Sequence, residues 1–305
     1  MQKDNFNNKL IRIGSRSSPL AIWQAKEVQN KIGKNSKVIK ILTTGDKISD
    51  SPLAKYGGKG LFTRELDEAI EKNKIDIAVH SLKDVPTFIK EKFELFYILP
   101  RADVNDILMS TDNAKTIKSL PKNRSLGTSS PRRAAQVKRI REDLNIIPLR
   151  GNIGTRIEKL KKGKVDSIIL ALAGIKRLKI KEKFTPLKVK EFMPAVGQGI
   201  IVIQSLKKND KINKILTKLE NINVRHLAQA ERATLKILRG DCNSSIAILS
   251  EIEKNILKLT ARIFSSDGKR MIESRDEGDI NESIAIGTSV GKKLIKKGGL
   301  EILNL

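Results

Sequence analysis

The sequence predicts an α/β protein: two similar α/β units, followed by a smaller α+β unit. Three observations predict it. From Leu10 to about Ser205, short runs of Ile, Val and Leu alternate with segments of helical period. The pattern also restarts: Ser125-Leu126-Gly127-Thr128-Ser129-Ser130-Pro131 echoes Ile13-Gly14-Ser15-Arg16-Ser17-Ser18-Pro19. After about Val224 the order changes to helix, hairpin, helix. The expected units are 1–99 with 200–222, then 100–199, then 223–305.

A chain of 305 residues suits two or three domains of about 100–200 residues each. Aromatic residues make up only 4%, so the cores must be built from Ile, Leu, Val and Ala. No apolar run reaches the ~18 residues that a membrane span requires. The polar start, Met1 to Asn8, lacks the apolar segment of a signal peptide. Cys242 is the single cysteine, which excludes an internal disulfide and fits a reducing cytoplasm. The formal net charge is +26, but lysine is spread along the whole chain as on a solvated surface. Without an aromatic platform or a known motif, no nucleic-acid partner is expected. His80 and His226 are too few for a metal cluster, so no metal is expected either.

Leu10–Gly14 is the first expected strand. Ser18 as N-cap and Pro19 at the first helical position open a helix to Ile32, with Ala21, Ala25, Val28 and Ile32 on one stripe. Val38–Thr43 is a second strand. The segment Thr44–Gly60, with Gly45, Pro52, Gly57, Gly58 and Gly60, has the length of a lid and carries Lys55 and Lys59. Leu61–Lys72 is a helix. In the stretch from Ile75 to Pro86, Ile75, Ile77 and Val79 read as a buried strand, and Pro86 cannot extend a ladder. Ser81, Lys83 and Asp84 then sit just past its carboxyl end, where open α/β sheets handle ligands. Leu95–Leu99 is a further strand, ended by Pro100-Arg101.

Arginines concentrate in the second unit. Arg132 and Arg133 open its first helix. Arg150 and Arg156 flank Gly151-Asn152-Ile153-Gly154-Thr155, read as a turn with a Thr helix start. Arg177 follows the strand Ser167–Leu172. Guanidinium forks bind carboxylate or phosphate in a bidentate way that lysine cannot match. Arg16 and the junction arginines therefore point to an anion, helped by the helix N-termini at Ser18 and Ser130. Arg139 and Arg141 fit solvated helix faces as well. Phe192–Gly199 is a Pro/Gly junction containing Gln198, and at the next strand, Ile200–Ser205, the chain re-enters the first unit. The helix Val224–Leu238 ends at Gly240, and Cys242 follows in a loop. A lone cysteine can be an inert small hydrophobe; a loop beside Arg239 also suits a reactive or modified thiol. Ile256–Ser265 and Lys269–Glu273 form the hairpin, and Asn281–Lys297 is the last helix.

Six blocks in one order carry a resemblance. They are Ile13 to Ala21, Gly57-Gly58-Lys59-Gly60-Leu61-Phe62, His80-Ser81-Leu82-Lys83-Asp84-Val85-Pro86, Gly127-Thr128-Ser129-Ser130, Leu149 to Arg156, and Pro194-Ala195-Val196-Gly197-Gln198-Gly199. Together they resemble the hydroxymethylbilane synthase (porphobilinogen deaminase) family nearly end to end. The resemblance implies two periplasmic-binding-protein-like (type II) α/β domains facing a cleft, plus a small C-terminal α+β domain. It implies a cytoplasmic, monomeric transferase that joins four porphobilinogen molecules and releases linear hydroxymethylbilane. A dipyrromethane primer would hang from Cys242 through a thioether. Asp84 would be catalytic, stabilising the cation left when ammonia departs. Arg16, Ser18, Ser81, Lys83, Asp84, Thr128, Ser130, Arg132, Arg133 and Arg156 would hold the primer; Arg16, Arg150, Arg156, Arg177, Gln198 and Lys59 would hold substrate. The chain departs from the family at Asp241 and Asn243, where Gly and Gln usually flank the thiol, at Ser244-Ser245, where Val-Pro usually follows, and at Pro131, where Leu is usual. The competing reading is a two-lobed module that binds anions without catalysis.

Overall fold

The structure is a computed structural model that describes residues 10–47 and 60–303. The chain first forms β1 (Ile11–Arg16), α1 (Pro19–Ile32), β2 (Ser36–Ile41), α2 (Thr44–Lys47), α3 (Arg64–Glu71), β3 (Ile77–Ser81) and β4 (Phe93–Phe96). It continues with β5 (Asp106–Ser110), β6 (Ser125–Gly127), α4 (Pro131–Ile140), β7 (Asn145–Ile147), α5 (Ile153–Lys161), β8 (Ser167–Ala171), α6 (Leu172–Arg177) and β9 (Thr185–Pro186). Last come β10 (Ile201–Leu206), α7 (Asp210–Lys218), α8 (Ile222–Ile237), β11 (Ile246–Glu253), β12 (Ile256–Phe264), β13 (Met271–Asp279), α9 (Ser283–Lys296) and α10 (Gly299–Leu303).

Two five-stranded sheets share one topology, β2-β1-β3-β10-β4 and β7-β6-β8-β5-β9. In each, three parallel strands meet a fourth that runs antiparallel. That fourth strand makes each sheet mixed rather than wholly parallel. It is in both cases the strand reached directly after the chain crosses between sheets: β5 follows the outward crossing and β10 the return. The sequence echo therefore marks equivalent places. Ser18 caps α1 by accepting from the Ala21 N–H, and Ser130 caps α4 by accepting from the Arg133 N–H. A second equivalence was hidden in the sequence. Asp76 and Asp166, each just before the third strand of its sheet, accept the backbone N–H of Arg12 and of Ser125, both at 2.8 Å.

Helices cover both faces of each sheet, so both faces of a strand are apolar. In β3, Ile77 and Val79 enter one core with Ala25, Val28 and Leu216, while Ala78 enters another with Leu66 and Ile70. His80 lies on that second face, fully buried, and burial lowers its pKa to about 4, so the ring is neutral at pH 7. His80 is thus a neutral core side chain.

The third sheet is β11-β12-β13, antiparallel, with α8 and α9 on one face around Leu257, Leu259, Val290 and Leu294. Its first strand, β11, is an addition to the expected hairpin. Glu231 of α8, 0% exposed, accepts from Arg101 Nη1 at 2.7 Å, the Gly197 N–H at 2.6 Å and the Ser250 N–H at 2.9 Å. Arg101 and Gly197 lie on the two crossings, so α8 grips both.

Candidate active site

Parallel strands deliver their carboxyl ends to one side of a sheet. Here β1 ends at Arg16, β3 at Ser81, β6 at Gly127 and β8 at Ala171. A 3-10 turn, Leu82–Asp84, follows β3 directly. Buried Leu82 anchors it, and the Leu82 N–H donates to the Ile200 carbonyl at 3.0 Å. Lys83 and Asp84 thereby leave the sheet half-buried.

The charges around this turn come from both sheets. Burial lowers the Lys83 pKa to about 8; Asp84 opposes the shift, while Arg133 and Arg132 add to it. Burial likewise lowers the Arg156 pKa to about 10, Arg133 and Arg150 add to this, and Asp84 opposes it. Lys83 and Asp84 follow β3; Arg132, Arg133, Arg150 and Arg156 follow β6 and β7. These mutual influences bring the carboxyl ends of the two sheets within electrostatic reach of each other.

Arg132 and Arg133 share a carboxylate that the sequence did not single out. Asp106, 0% exposed, accepts from Arg132 Nη2 at 2.8 Å and from Arg133 Nη2 at 2.6 Å and Nε at 3.2 Å. Gln198 Nε2 donates to the same carboxylate at 3.0 Å. Burial pushes the Asp106 carboxyl up, but the charges of Arg133 and Arg132 outweigh it and hold it well below the usual carboxylate range. Two guanidiniums on one carboxylate leave a net positive floor. Arg132 Nε and Gln198 Oε1 are buried there without a partner among the described residues.

The other predicted residues are placed as follows. Arg16 pairs with Asp46 at 2.5 Å, its guanidinium 4.1 Å from the Phe62 ring centroid. Ser81 accepts from Gln24 Nε2 at 2.8 Å, and Thr128 Oγ1 accepts from the Ser130 N–H at 3.2 Å. Arg156 Nε donates to the Gly151 carbonyl at 2.8 Å. Arg177 Nη2 donates to the Gly199 carbonyl at 2.9 Å, and its guanidinium lies over Trp23. The sequence assigned the forks of Arg16, Arg132 and Arg133 to a bound anion alone; the fold uses part of each on Asp46 or Asp106, which orients it. Asn152, through its side chain, caps α5, correcting the expected Thr start: Thr155 supplies the N–H that Asn152 accepts. Lys55 and Lys59, with most of the expected lid, lie outside the described residues.

Cys242 is exposed, in the loop after α8. Asp241 shapes this loop by accepting from the Asn243 N–H at 2.9 Å and from Ser244 Oγ at 3.2 Å. Partial burial, then Asp241, then Asp84, push the thiol pKa up to about 11. The Asp84 carboxylate is thus felt at Lys83, at Arg156 and at the thiol.

Two family models match the chain. Residues 11–214 match "Porphobilinogen deaminase, dipyromethane cofactor binding domain", and residues 226–296 match "Porphobilinogen deaminase, C-terminal domain". The chain belongs to the porphobilinogen deaminase family. A porphobilinogen deaminase of Alkaliphilus metalliredigens is 40% identical over 301 residues, covering 97% of this chain and 95% of that one. One from Francisella tularensis subsp. holarctica is 42% identical over 303 residues, covering 97% and 99%. Among solved structures, the chain is similar to a probable amino-acid ABC transporter extracellular-binding protein of Bacillus subtilis, with TM-score 0.39, 13% identity and coverage of 68% and 89%. It is also similar to the periplasmic aliphatic sulphonate binding protein of Escherichia coli, with TM-score 0.40, 15% identity and coverage of 76% and 71%. The chain itself has two α/β units of matching sheet topology and a smaller three-stranded third unit.

Proposed function

We propose that this chain is a hydroxymethylbilane synthase, a transferase of tetrapyrrole synthesis that condenses four porphobilinogen molecules head to tail and then releases linear hydroxymethylbilane by hydrolysis. The observation that carries this reading is the family match over most of the chain together with a carboxylate, Asp84, on the turn after β3 and an exposed thiol, Cys242, in the loop after α8. A binding module for anions needs neither the carboxylate nor the thiol.

The donor set fits a dipyrromethane on Cys242, because both rings carry carboxylates and the cleft floor keeps a net positive charge. Lys83, Arg132, Arg133 and Arg156 would hold those carboxylates, with Arg16, Ser18, Ser81, Thr128 and Ser130 around them. When bound, this group would supply the free pyrrole carbon to which the first new ring is joined. Arg150, Arg177, Gln198 and Lys59 are assigned to the incoming substrate. In each condensation the aminomethyl C–N bond breaks, ammonia leaves and a C–C bond forms. Asp84 stabilises the positive charge on the incoming ring as its amine departs. The same reading assigns Asp84 to hold the pyrrole N–H and to accept the proton lost on coupling.

We read the domains as 1–99 with 200–222, 100–199 and 223–305, supported by the three sheets. The chain is read as cytoplasmic and monomeric, and no helix among the described residues is long and apolar enough to cross a membrane.

The test uses the full chain and porphobilinogen. Ammonia should be released, and intact mass should rise by two pyrrole units, located by digestion on the Cys242 peptide. Unmodified protein that binds porphobilinogen without releasing ammonia would establish the non-catalytic alternative. A second measurement addresses the departure at Asp241. Burial is the leading cause of the high thiol pKa, so removing the neighbouring charge gives partial relief. Asp241→Gly is expected to speed adduct formation about threefold, followed as mass against time; an unchanged rate would remove Asp241 from thiol control.

A further inference from the structure

We propose that Thr87 and Arg232 are positioning residues that lock the Cys242 loop to the Asp84 turn, so that thiol and carboxylate keep one separation while the product grows. The proposal rests on the reading of the site given above. Thr87 lies three residues after Asp84, and Gly240 two residues before Cys242. Thr87 Oγ1 donates to the Gly240 carbonyl at 2.6 Å. Arg232 Nη2 donates to the Pro86 carbonyl at 2.8 Å and the Thr87 carbonyl at 2.9 Å. Thr87 is 4% exposed and Arg232 7%.

Three features make this contact rigid. Pro86 fixes its own φ, so the chain leaving Asp84 has little freedom. Gly240 is bound to the end of α8, its N–H donating to the Leu235 carbonyl at 3.1 Å. A Cβ on Gly240 would lie 2.4 Å from Ile246 Cδ1 and 2.8 Å from Leu235 Cδ1, so the loop is packed tightly where Thr87 holds it. The choice of partners for Arg232 is also informative. Burial lowers its pKa, and among the described residues its side-chain hydrogen bonds go to backbone carbonyls, not to a carboxylate. A buried cation spent on carbonyls is costly as plain stabilisation; it is well suited to fixing where one backbone segment sits. Asp84 belongs to a turn of the first sheet and Cys242 to a loop of the third unit, so without this lock nothing adjacent in sequence relates them. With it, the Cys242 loop does not retreat as rings are added.

The test reads the lock without relying on turnover. Full-length chain is made without porphobilinogen, so that Cys242 is a free thiol. Asp84→Asn should speed its alkylation by iodoacetamide at pH 8 about threefold, because a nearby negative charge is removed. In a Thr87→Val background that acceleration should fall to near onefold, and Thr87→Ser should restore it. In loaded enzyme, Thr87→Val should lower kcat about tenfold through the lost hydrogen bond, with KM within about twofold and the Cys242 adduct complete. All variants are compared below their melting transitions. An Asp84→Asn acceleration that is equal with Val and with Thr at position 87 overturns the proposal, as does an unchanged kcat. If wild-type chain gives neither adduct nor ammonia, the functional reading fails instead, and the alkylation comparison still decides the lock.

Discussion

Asp84→Asn is expected to keep the fold and lower kcat by about 10²–10³. Asparagine has the shape of aspartate and can still accept a hydrogen bond, so the change removes charge and little else. The surroundings set the size of the effect. Arg133 and Arg132 act on Lys83, Arg133 and Arg150 act on Arg156, and Asp84 opposes the pKa shift of both Lys83 and Arg156. A cation forming on substrate among those groups is repelled by each of them, and the Asp84 carboxylate offsets that repulsion. The measurement is ammonia release at saturating porphobilinogen, with the melting temperature as control for the fold. Turnover near the wild-type value would take Asp84 out of the chemistry and leave the family's activity without a charge-stabilising group in this cleft.

Asp106→Asn is expected to destabilise the chain by about 3–5 kcal/mol, because it leaves buried guanidiniums without their counter-charge. Asp106 is 0% exposed and takes three hydrogen bonds from Arg132 and Arg133. The folded state holds its carboxyl below the usual range. Its contribution is therefore complete above the unfolded carboxyl pKa of about 4, and is lost as pH falls through the lower folded value. Wild-type stability should drop in acid accordingly, while Asp106→Asn, already lacking the charge, should show a shallower drop. The urea midpoint across pH 3–7 checks both. Equal midpoints for the two proteins at pH 7 would mean that the three groups do not act as a structural unit.

Most of what could be read in advance was local. Ser18-Pro19 and Ser130-Pro131 marked helix starts because capping involves residues three positions apart. Ile75 to Pro86 marked a strand and its end, since β-branched residues and proline act through their own backbone. The return of the chain at Ile200–Ser205 was legible as a Pro/Gly junction before an apolar run. Where local signals misled, a neighbour in sequence had been misread: Asn152, and not Thr155, caps α5. Where they were silent, the partner was remote. Asp106 sits among Asp103, Val104 and Asn105 with no pattern to distinguish it from Asp103, which pairs at the surface with Lys176.

The sequence by itself determined the alternation of strands and helices, the repeated unit, and which residue types could handle anions, because periodicity, capping and side-chain chemistry are properties of short stretches. Only the tertiary structure decided which charges meet. Asp106 and Arg132 are 26 residues apart, Arg16 and Asp46 are 30, and Thr87 and Gly240 are 153. Electrostatic and hydrogen-bond energies depend on separation in space, and folding sets that separation without leaving a mark in the spacing of the chain.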